Sequence, residues 1–397
     1  MIINGKRALA YTQKITNIQP IAGADNIELV HVNAWPLIAI KGEFQEGDTC
    51  VFFEIDSQLP EEERYEFLRK KGFKVKTYEL RKFHVVSQGL ALPLSLFPEI
   101  SADTPVDTDV TDVLHVTYYV KEDNVRKEND PAMSRFNTYK AKHRKFYNNR
   151  FIKFLMKFKW FRTLQKRLHG GKPVRKLSFP SQYVSKTDEE RCQNMPWVLA
   201  NKDPMIVTEK IDGTSTTVLV ERLPHRKFRT YICSRNVCYG DGTGKAGKRR
   251  VYDDQNNIYV ENANRYHMPE RLTQYLKDHP DIKWACIQGE SYGLGWQGNP
   301  LKCEGHEFAA FNFKDSKNGR WGSLEGKKLL ADWGIPWVPI IHTNYILPDT
   351  VDELITAATG KSALNDKVLR EGWVIRSQDG QLSFKAVSTE YLLKKGE

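Results

Sequence analysis

Lys210, Asp212 and Gly213 stand together in one short stretch, Thr208-Glu209-Lys210-Ile211-Asp212-Gly213-Thr214-Ser215. An apolar run, Met205-Ile206-Val207, leads into it, and Thr216-Thr217-Val218-Leu219-Val220 leads out. Both runs have the composition of strands. Along an extended segment residues two apart share a side, so Lys210 and Asp212 point the same way. That arrangement suits a lysine that must act as a nucleophile. An ordinary lysine amine, with a pKa near ~10.4, is almost fully protonated at pH 7. A metal ion held by Asp212 would favour the neutral amine, and Gly213 would let a ligand approach the backbone. The same residues fit a plain hairpin equally well, because Asp-Gly is a common turn. Taken alone, the pattern does not choose between the two.

These residues need elements to position them, and the composition bounds what those are. The chain has 397 residues, 40% hydrophobic and 27% charged, enough for roughly two or three globular domains. No apolar run is long enough to span a bilayer, and the start, Met1-Ile2-Ile3-Asn4-Gly5-Lys6, has no signal-peptide pattern. None of Cys50, Cys192, Cys233, Cys238, Cys286 and Cys303 forms a C-x-x-C pair, which argues against a zinc site and for reduced thiols. The expectation is a cytoplasmic monomer with no membrane partner. The net charge of +11 is local: from Pro131 to Thr187 there are sixteen Lys and Arg and no Asp or Glu. The remainder of the chain is net acidic, so the basic stretch reads as a polyanion-binding segment.

In chain order, residues 1–125 carry short strand signals at Ile27–Val32, Pro36–Ile40, Thr49–Ile55 and Phe83–Val86. Gly42 and Glu46-Gly47-Asp48 punctuate them, and one helical piece, Glu61–Lys71, interrupts them. Many short strands with one helix fit an OB-type barrel. Residues 126–176 form a basic helical linker. In it Phe151, Phe154, Leu155, Phe158, Phe161, Leu164 and Leu168 recur at helical spacing, until Gly170-Gly171 and Pro173 break the pattern. A face of this kind can dock on a neighbouring domain, grip phosphates or lie on a membrane; docking with phosphate contact is the expectation. Thr187 and Glu190 are spaced as a capping box, predicting a helix start. Residues 177–397 then alternate strands and helices. Gly240, Gly242, Gly244 and Gly247, with Lys245, Lys248 and Arg249, suggest a mobile basic loop.

Further polar groups end apolar runs in this region: Arg235 after Tyr231-Ile232-Cys233, Glu290 after Trp284–Gln288, Glu371 before Gly372–Arg376, and Lys385 in Leu382–Lys385. Phe311 lies in the aromatic run Glu307–Phe313. In this order the segments resemble the nucleotidyltransferase motifs of the covalent-lysine ligase and capping-enzyme superfamily. Lys210, Asp212 and Gly213 match its K-x-D-G motif. Arg235, Glu290, Phe311, Glu371 with Gly372, and Lys385 match the motifs that follow. An OB-like domain ahead of these motifs is similar to the nick-sealing RNA-ligase branch. One departure is Ser383, where that family often places a second lysine.

The resemblance implies an α+β protein: an N-terminal OB-type β-barrel, the basic linker, and an adenylyltransferase domain of ATP-grasp-like antiparallel sheets with helices. It implies an ATP-dependent RNA ligase, working in RNA repair, that joins a 3′-hydroxyl to a 5′-phosphate through lysyl-AMP and RNA-adenylate intermediates. Lys210 would attack the α-phosphate of ATP, Lys385 would contact that phosphate, and Arg235 would act on phosphate or ribose. Phe311 would stack on adenine, and Glu209 and Ser215 would join the nucleotide site. Asp212, Glu290 and Glu371 would hold Mg²⁺ or Mn²⁺. The partners implied are ATP and RNA. A DNA or mixed-strand ligase and a non-catalytic RNA-binding protein remain the alternatives at this point.

Overall fold

The computed structural model describes residues 1–3, 6–119, 139–140, 142–170, 177–240 and 257–396. Two compact units interleave along the chain. One gathers Met1–Val120, Asp188–Asp212 and Val338–Glu397; the other gathers Lys121–Thr187 and Gly213–Trp337. The division passes between Asp212 and Gly213.

In the first unit, alternation builds the barrel sheet. Val30 and Val32 of the strand Ile27–Val32 face inward, and the turn after Val32 lets Trp35, Leu37 and Ala39 of Trp35–Ile40 face the same core. Asn33 supplies the positive φ of 51° which that tight turn needs. The sheet runs Leu90–Pro93, Thr49–Phe53, Ala10–Pro20, Ile27–Val32, Trp35–Ile40. Tyr11 and Trp35 close on Phe52, with ring centroids 5.3 and 5.8 Å away. Glu63–Lys71 forms the helical piece, as a 3₁₀ helix. The barrel and the strands expected at Ile27–Val32, Pro36–Ile40 and Thr49–Ile55 are therefore present, whereas the signal at Phe83–Val86 falls partly on a turn, its strand running Val85–Gln88 in a separate two-stranded sheet.

The same unit holds a second sheet, ordered Glu190–Arg191, Ser383–Val387, Gly372–Ser377, Met205–Lys210, Ile340–Tyr345. One face carries Met205, Val207, Trp373, Ile375, Phe384 and Ala386, packed with Leu354, Ile355 and Ala358 of the helix Val351–Ala358. Thr350 and Glu353 cap that helix reciprocally. The opposite face carries the alternate residues, Lys210 and Lys385 among them. Val387 and Leu392 pack into the cluster of Trp35 and Phe52, so the barrel core includes residues far along the chain.

The helix predicted at Thr187 is not there. Glu190 and Arg191 form a strand, and Cys192–Asn194 is a 3₁₀ turn. The carboxylate of Glu190 accepts from the backbone N–H of Ile2 and from Asn194 Nδ2, at 2.8 Å for the latter. These partners outbid a local cap. Asn194 in turn accepts from Trp35 Nε1 at 2.5 Å and Tyr11 OH at 3.1 Å.

The second unit is built on a sheet whose long strands, Lys227–Cys233, Thr214–Leu223, Trp284–Gly293 and His306–Asp315, are neighbours in that order. Helices Ile258–Arg265, Met268–Asp278 and Ser323–Asp332 contribute Ile258, Leu272, Leu276 and Leu330 to a core with Val218, Ile287 and Phe313. The basic segment forms three short helices, Arg144–Asn148, Arg150–Leu155 and Lys159–Gly170. Its apolar residues do not dock as one face. Phe161 is buried, but Phe151, Phe154, Phe158, Leu164 and Leu168 are exposed. The helix breaks at Met156–Phe158, between Arg150–Leu155 and Lys159–Gly170, so Phe151, Phe154 and Leu155 lie on one helix and Phe161, Leu164 and Leu168 on another. Gly171 and Pro173 lie outside the described residues, as does the loop with Gly242, Gly244, Lys245, Gly247, Lys248 and Arg249.

Candidate active site

Lys210 ends its strand opposite Gly372. A Cβ on Gly372 would lie 2.2 Å from the carbonyl oxygen of Ala386 and 2.9 Å from Val387 Cα. Only glycine lets the two strands close there, and the closure sets the residue before it. Lys210 Nζ donates to Glu371 Oε2 at 2.8 Å. Burial pushes the Glu371 carboxyl up, the charge of Asp212 pushes it further, and Lys210 opposes them. Asp212 accepts a hydrogen bond from Tyr391 OH at 2.6 Å and pairs with Lys395 Nζ. Tyr391 and Lys395 lie four apart on the helix Thr389–Lys395, hence on one face. Neither was expected from the sequence. Their spacing was readable, but nothing tied it to Asp212.

Two strands further across the sheet lies Lys385, in register with Arg191 on the edge strand. Burial brings the Lys385 amine down to about 7, and the charges of Arg191, Arg7 and Lys210 reinforce it. Arg191 is 7% exposed, and its guanidinium sits 5.6 Å from the Trp35 ring centroid. Among the described residues its Nε and Nη1 have no hydrogen-bond acceptor. Arg7 is paired with Glu54 at 3.1 Å and Asp56 at 3.3 Å. Ser383 Oγ accepts from Arg376 Nε at 3.1 Å, so the serine in the second-lysine position supports an arginine. Glu209 points to the sheet's packed side. Its carboxylate accepts from Ser362 Oγ at 2.5 Å and the Ala363 N–H at 2.7 Å. Its neighbourhood with Lys210 is therefore through the backbone, and the side chain fastens the Ser362 loop.

The second unit positions the remaining residues. Ser215 and Glu290 are cross-strand partners, and Ser215 Oγ lies 2.7 Å from Thr187 Oγ1. A Cβ on Gly213 would meet the Ser291 carbonyl oxygen at 2.4 Å and Glu290 Cγ at 3.0 Å. The close approach that requires glycine here is thus by the neighbouring strand. Phe311 is the extra residue of a β-bulge: Gln288 pairs with Asn312 but Gly289 with Ala310. A bulge re-aims a side chain, and Phe311 is half-buried between the buried Ala310 and Asn312. Arg235 is exposed at the turn between Ser234 and Val237, whose backbones bond at 2.9 Å.

Among the described residues no group of three or more His, Cys, Asp or Glu side chains is placed to hold a metal ion. The expected set divides: Asp212 and Glu371 belong to one unit, Glu290 to the other. Asp212 and Glu371 nevertheless fit a cation. The charge of Asp212 raises the cost of charging Glu371, and each carboxylate is met by a lysine ammonium.

This arrangement has counterparts in known proteins. An OB-fold domain model matches residues 9–94, and an RNA ligase model matches residues 203–388. No curated protein sequence matches the chain. Among solved structures, Naegleria gruberi RNA ligase with pyrophosphate (PPi) is 30% identical with a TM-score of 0.74, covering 98% of this chain and 99% of that one. A variant of that ligase with ATP and Mn is 29% identical, with a TM-score of 0.74, over 98% of this chain and 100% of the other. Another, with AMP and Mn, is 30% identical with a TM-score of 0.72, over 98% and 99%. A likeness of this extent, running through barrel and motif-bearing sheets alike, shows that the chain belongs to the RNA ligase family, in the form with an OB domain ahead of the nucleotidyltransferase.

Proposed function

We propose that this ligase is ATP-dependent and seals a 3′-hydroxyl to a 5′-phosphate, with Lys210 as the covalent nucleophile. Lys210 Nζ attacks the α-phosphorus of ATP; the N–P bond forms as the bond to the β-phosphate oxygen breaks and pyrophosphate leaves. AMP then passes to the RNA 5′-phosphate, and the 3′-hydroxyl displaces it. Each step is displacement at phosphorus, so positioning and charge do most of the work. Glu371 holds the Lys210 amine at 2.8 Å, and this pairing is the observation that carries the reading. Lys385 neutralises the α-phosphate, Arg235 contacts phosphate or ribose, and Phe311 stacks on adenine, with Ser215 and the Glu209 backbone beside the nucleotide. Asp212, Glu371 and Glu290 would hold Mg²⁺ or Mn²⁺, which would supply positive charge to the nucleotide phosphates and favour the unprotonated amine.

The division of labour follows the sequence: residues 1–125 and 126–176 hold RNA, and 177–397 make lysyl-AMP. We take the protein to work as a monomer in the cytoplasm without a membrane partner. All six cysteines are free thiols, as a reducing compartment keeps them. No helix among the described residues is long and apolar enough to cross a membrane. The test is incubation with α-labelled ATP and Mn²⁺. The protein should retain a covalent AMP label that Lys210→Ala loses; an unlabelled wild-type protein would end this reading.

A further inference from the structure

We infer that Cys233 and Cys238 form a reversible disulfide site that fastens the turn carrying Arg235; its effect on adenylation rests on the ligase reading above. The two residues lie directly opposite each other on the strands Lys227–Cys233 and Val237–Cys238. Opposite residues on adjacent strands point to one face, and both side chains are buried in the cluster of Phe179, Val184 and Leu219. In an antiparallel ladder, hydrogen-bonded pairs alternate with closer pairs that exchange no backbone bonds. The pairs on either side are of the bonded kind: the Ser234 N–H donates to the Val237 carbonyl at 2.9 Å, and the Tyr239 N–H to the Ile232 carbonyl at 2.7 Å. Cys233 and Cys238 are therefore of the closer kind, with Cα atoms about 4.5 Å apart, inside the window of roughly 4.4–6.8 Å that a disulfide spans. Cys286, the third cysteine of the cluster, is separated from Cys233 by the whole strand Thr214–Leu223. Two strand spacings, about 9–10 Å, exceed the ~7 Å limit for a bridge.

The two sulfurs have unequal roles. A hydrogen bond from the Cys233 thiol holds Cys238 below the ordinary thiol value, against burial, and the Gly240 N–H at 3.4 Å helps. The same hydrogen bond and burial push Cys233 up, so it keeps its proton. Cys238 is thus the thiolate and the reactive partner. With hydrogen peroxide as oxidant, Cys238 Sγ takes one oxygen: the S–O bond forms, the O–O bond breaks, and the departing hydroxide leaves as water with the proton that Cys238 gave up. Cys233 Sγ then attacks the sulfenic sulfur; the S–S bond forms as the S–O bond breaks, and the second hydroxide leaves as water with the Cys233 proton. Two thiols are oxidised and one peroxide is reduced to two waters. Cys238 sits on a two-residue strand beside the two-residue edge strand Leu177–Ser178, so local opening at the sheet margin admits the oxidant. The bridge sets the Cβ atoms about 3.8 Å apart, in place of roughly 4.5–5.5 Å for an open pair. It draws the feet of the Ser234–Val237 turn together by roughly 1 Å, and a displacement of that size in a substrate-positioning residue costs up to about a hundredfold in rate.

The experiment treats full-length protein with hydrogen peroxide, then caps the remaining thiols, digests it and weighs the peptides. Trypsin cuts after Arg235, so the bridge leaves Thr230–Arg235 joined to Asn236–Lys245. This linked pair should be the main oxidised product and should vanish on treatment with dithiothreitol. Adenylation by ATP and Mn²⁺ should fall at least about tenfold as the bridge forms and return on reduction. Cys238→Ala should adenylate like reduced wild type and ignore peroxide, and Cys286→Ala should still bridge. Thiols that stay unlinked, a different cysteine pair, or a bridge that leaves adenylation unchanged would each overturn the proposal. So would a loss of activity that dithiothreitol does not restore. If Cys238→Ala misfolds, the linked peptide and its reversal in the wild-type protein decide alone. Absence of lysyl-AMP on reduced wild type would instead strike the ligase reading, and the mass of the linked peptide would still decide whether the site bridges.

Discussion

Replacing Lys385 by methionine should make the protein more stable at pH 6 while abolishing adenylation. The Lys385 amine, near ~10.4 in an unfolded chain, is brought down to about 7 by burial and by Arg191, Arg7 and Lys210. Below pH 7 both states carry the proton, and the folded state bears the whole cost of burying it. At about 1.36 kcal/mol per pH unit the gap is worth ~4–5 kcal/mol. Lys385 is only half-buried, so solvent screening reduces this to about 2 kcal/mol. Between pH 7 and pH ~10 the unfolded chain binds a proton that the folded one does not. Stability from this group therefore rises with pH, and is complete only above the unfolded value. Methionine fills similar volume without a charge, so Lys385→Met should raise Tm by about 2–3 °C at pH 6, with the gain shrinking towards pH 10. Calorimetric melts of both proteins from pH 6 to 10 read this directly. A gain that ignores pH, or a loss of stability at pH 6, would refute the argument.

Lys210→Ala, which takes no label from ATP, should still weakly seal RNA supplied already 5′-adenylated, because the last step does not use its amine as nucleophile; gel analysis of nick closure shows it. Asp212→Ala, Glu290→Ala and Glu371→Ala should each lower adduct yield at least about tenfold at limiting Mn²⁺, with folded circular dichroism spectra; normal adducts in all three would remove them from the metal. Gly213→Ala places a methyl 2.4 Å from the Ser291 oxygen and should cost about 1–3 kcal/mol in urea denaturation, since the Glu290 strand must move. Charge reversal at Lys140, Lys142 and Arg150 should weaken RNA binding and flatten its dependence on salt, leaving adenylation unchanged.

How much could be read from the sequence differed by the range of the forces involved. The strand Ile27–Val32 was legible because alternate residues are buried. The Lys210–Gly213 stretch was legible as two strands with a tight join, although the reason for Gly213 is a neighbouring strand. Long-range partners were not legible. Thr187 and Glu190 have capping-box spacing, but Ser215 and the N-terminal residues claim their side chains. Tyr391 reaches Asp212 across 179 positions, a separation no local pattern encodes. The apolar spacing through the basic segment was real, but one continuous helix was not, because the chain turns at Met156–Phe158. The odd state of Arg191 is visible only once Trp35 and Lys385 surround it.

The placement of Val387 and Leu392 in the Trp35–Phe52 core has a consequence for the newborn chain. The strands Ala10–Pro20 through Leu90–Pro93 leave the ribosome first, and Val387 follows roughly 300 residues later, about 15–60 s at ordinary elongation rates. During that interval the barrel lacks part of its own interior, and the acceptor for Trp35 and Tyr11, Asn194, arrives partway through. Vectorial folding of the first 93 residues therefore ends in a waiting state with apolar side chains uncovered. Its lifetime is set by translation speed, and chaperones that bind exposed apolar segments have most to gain there.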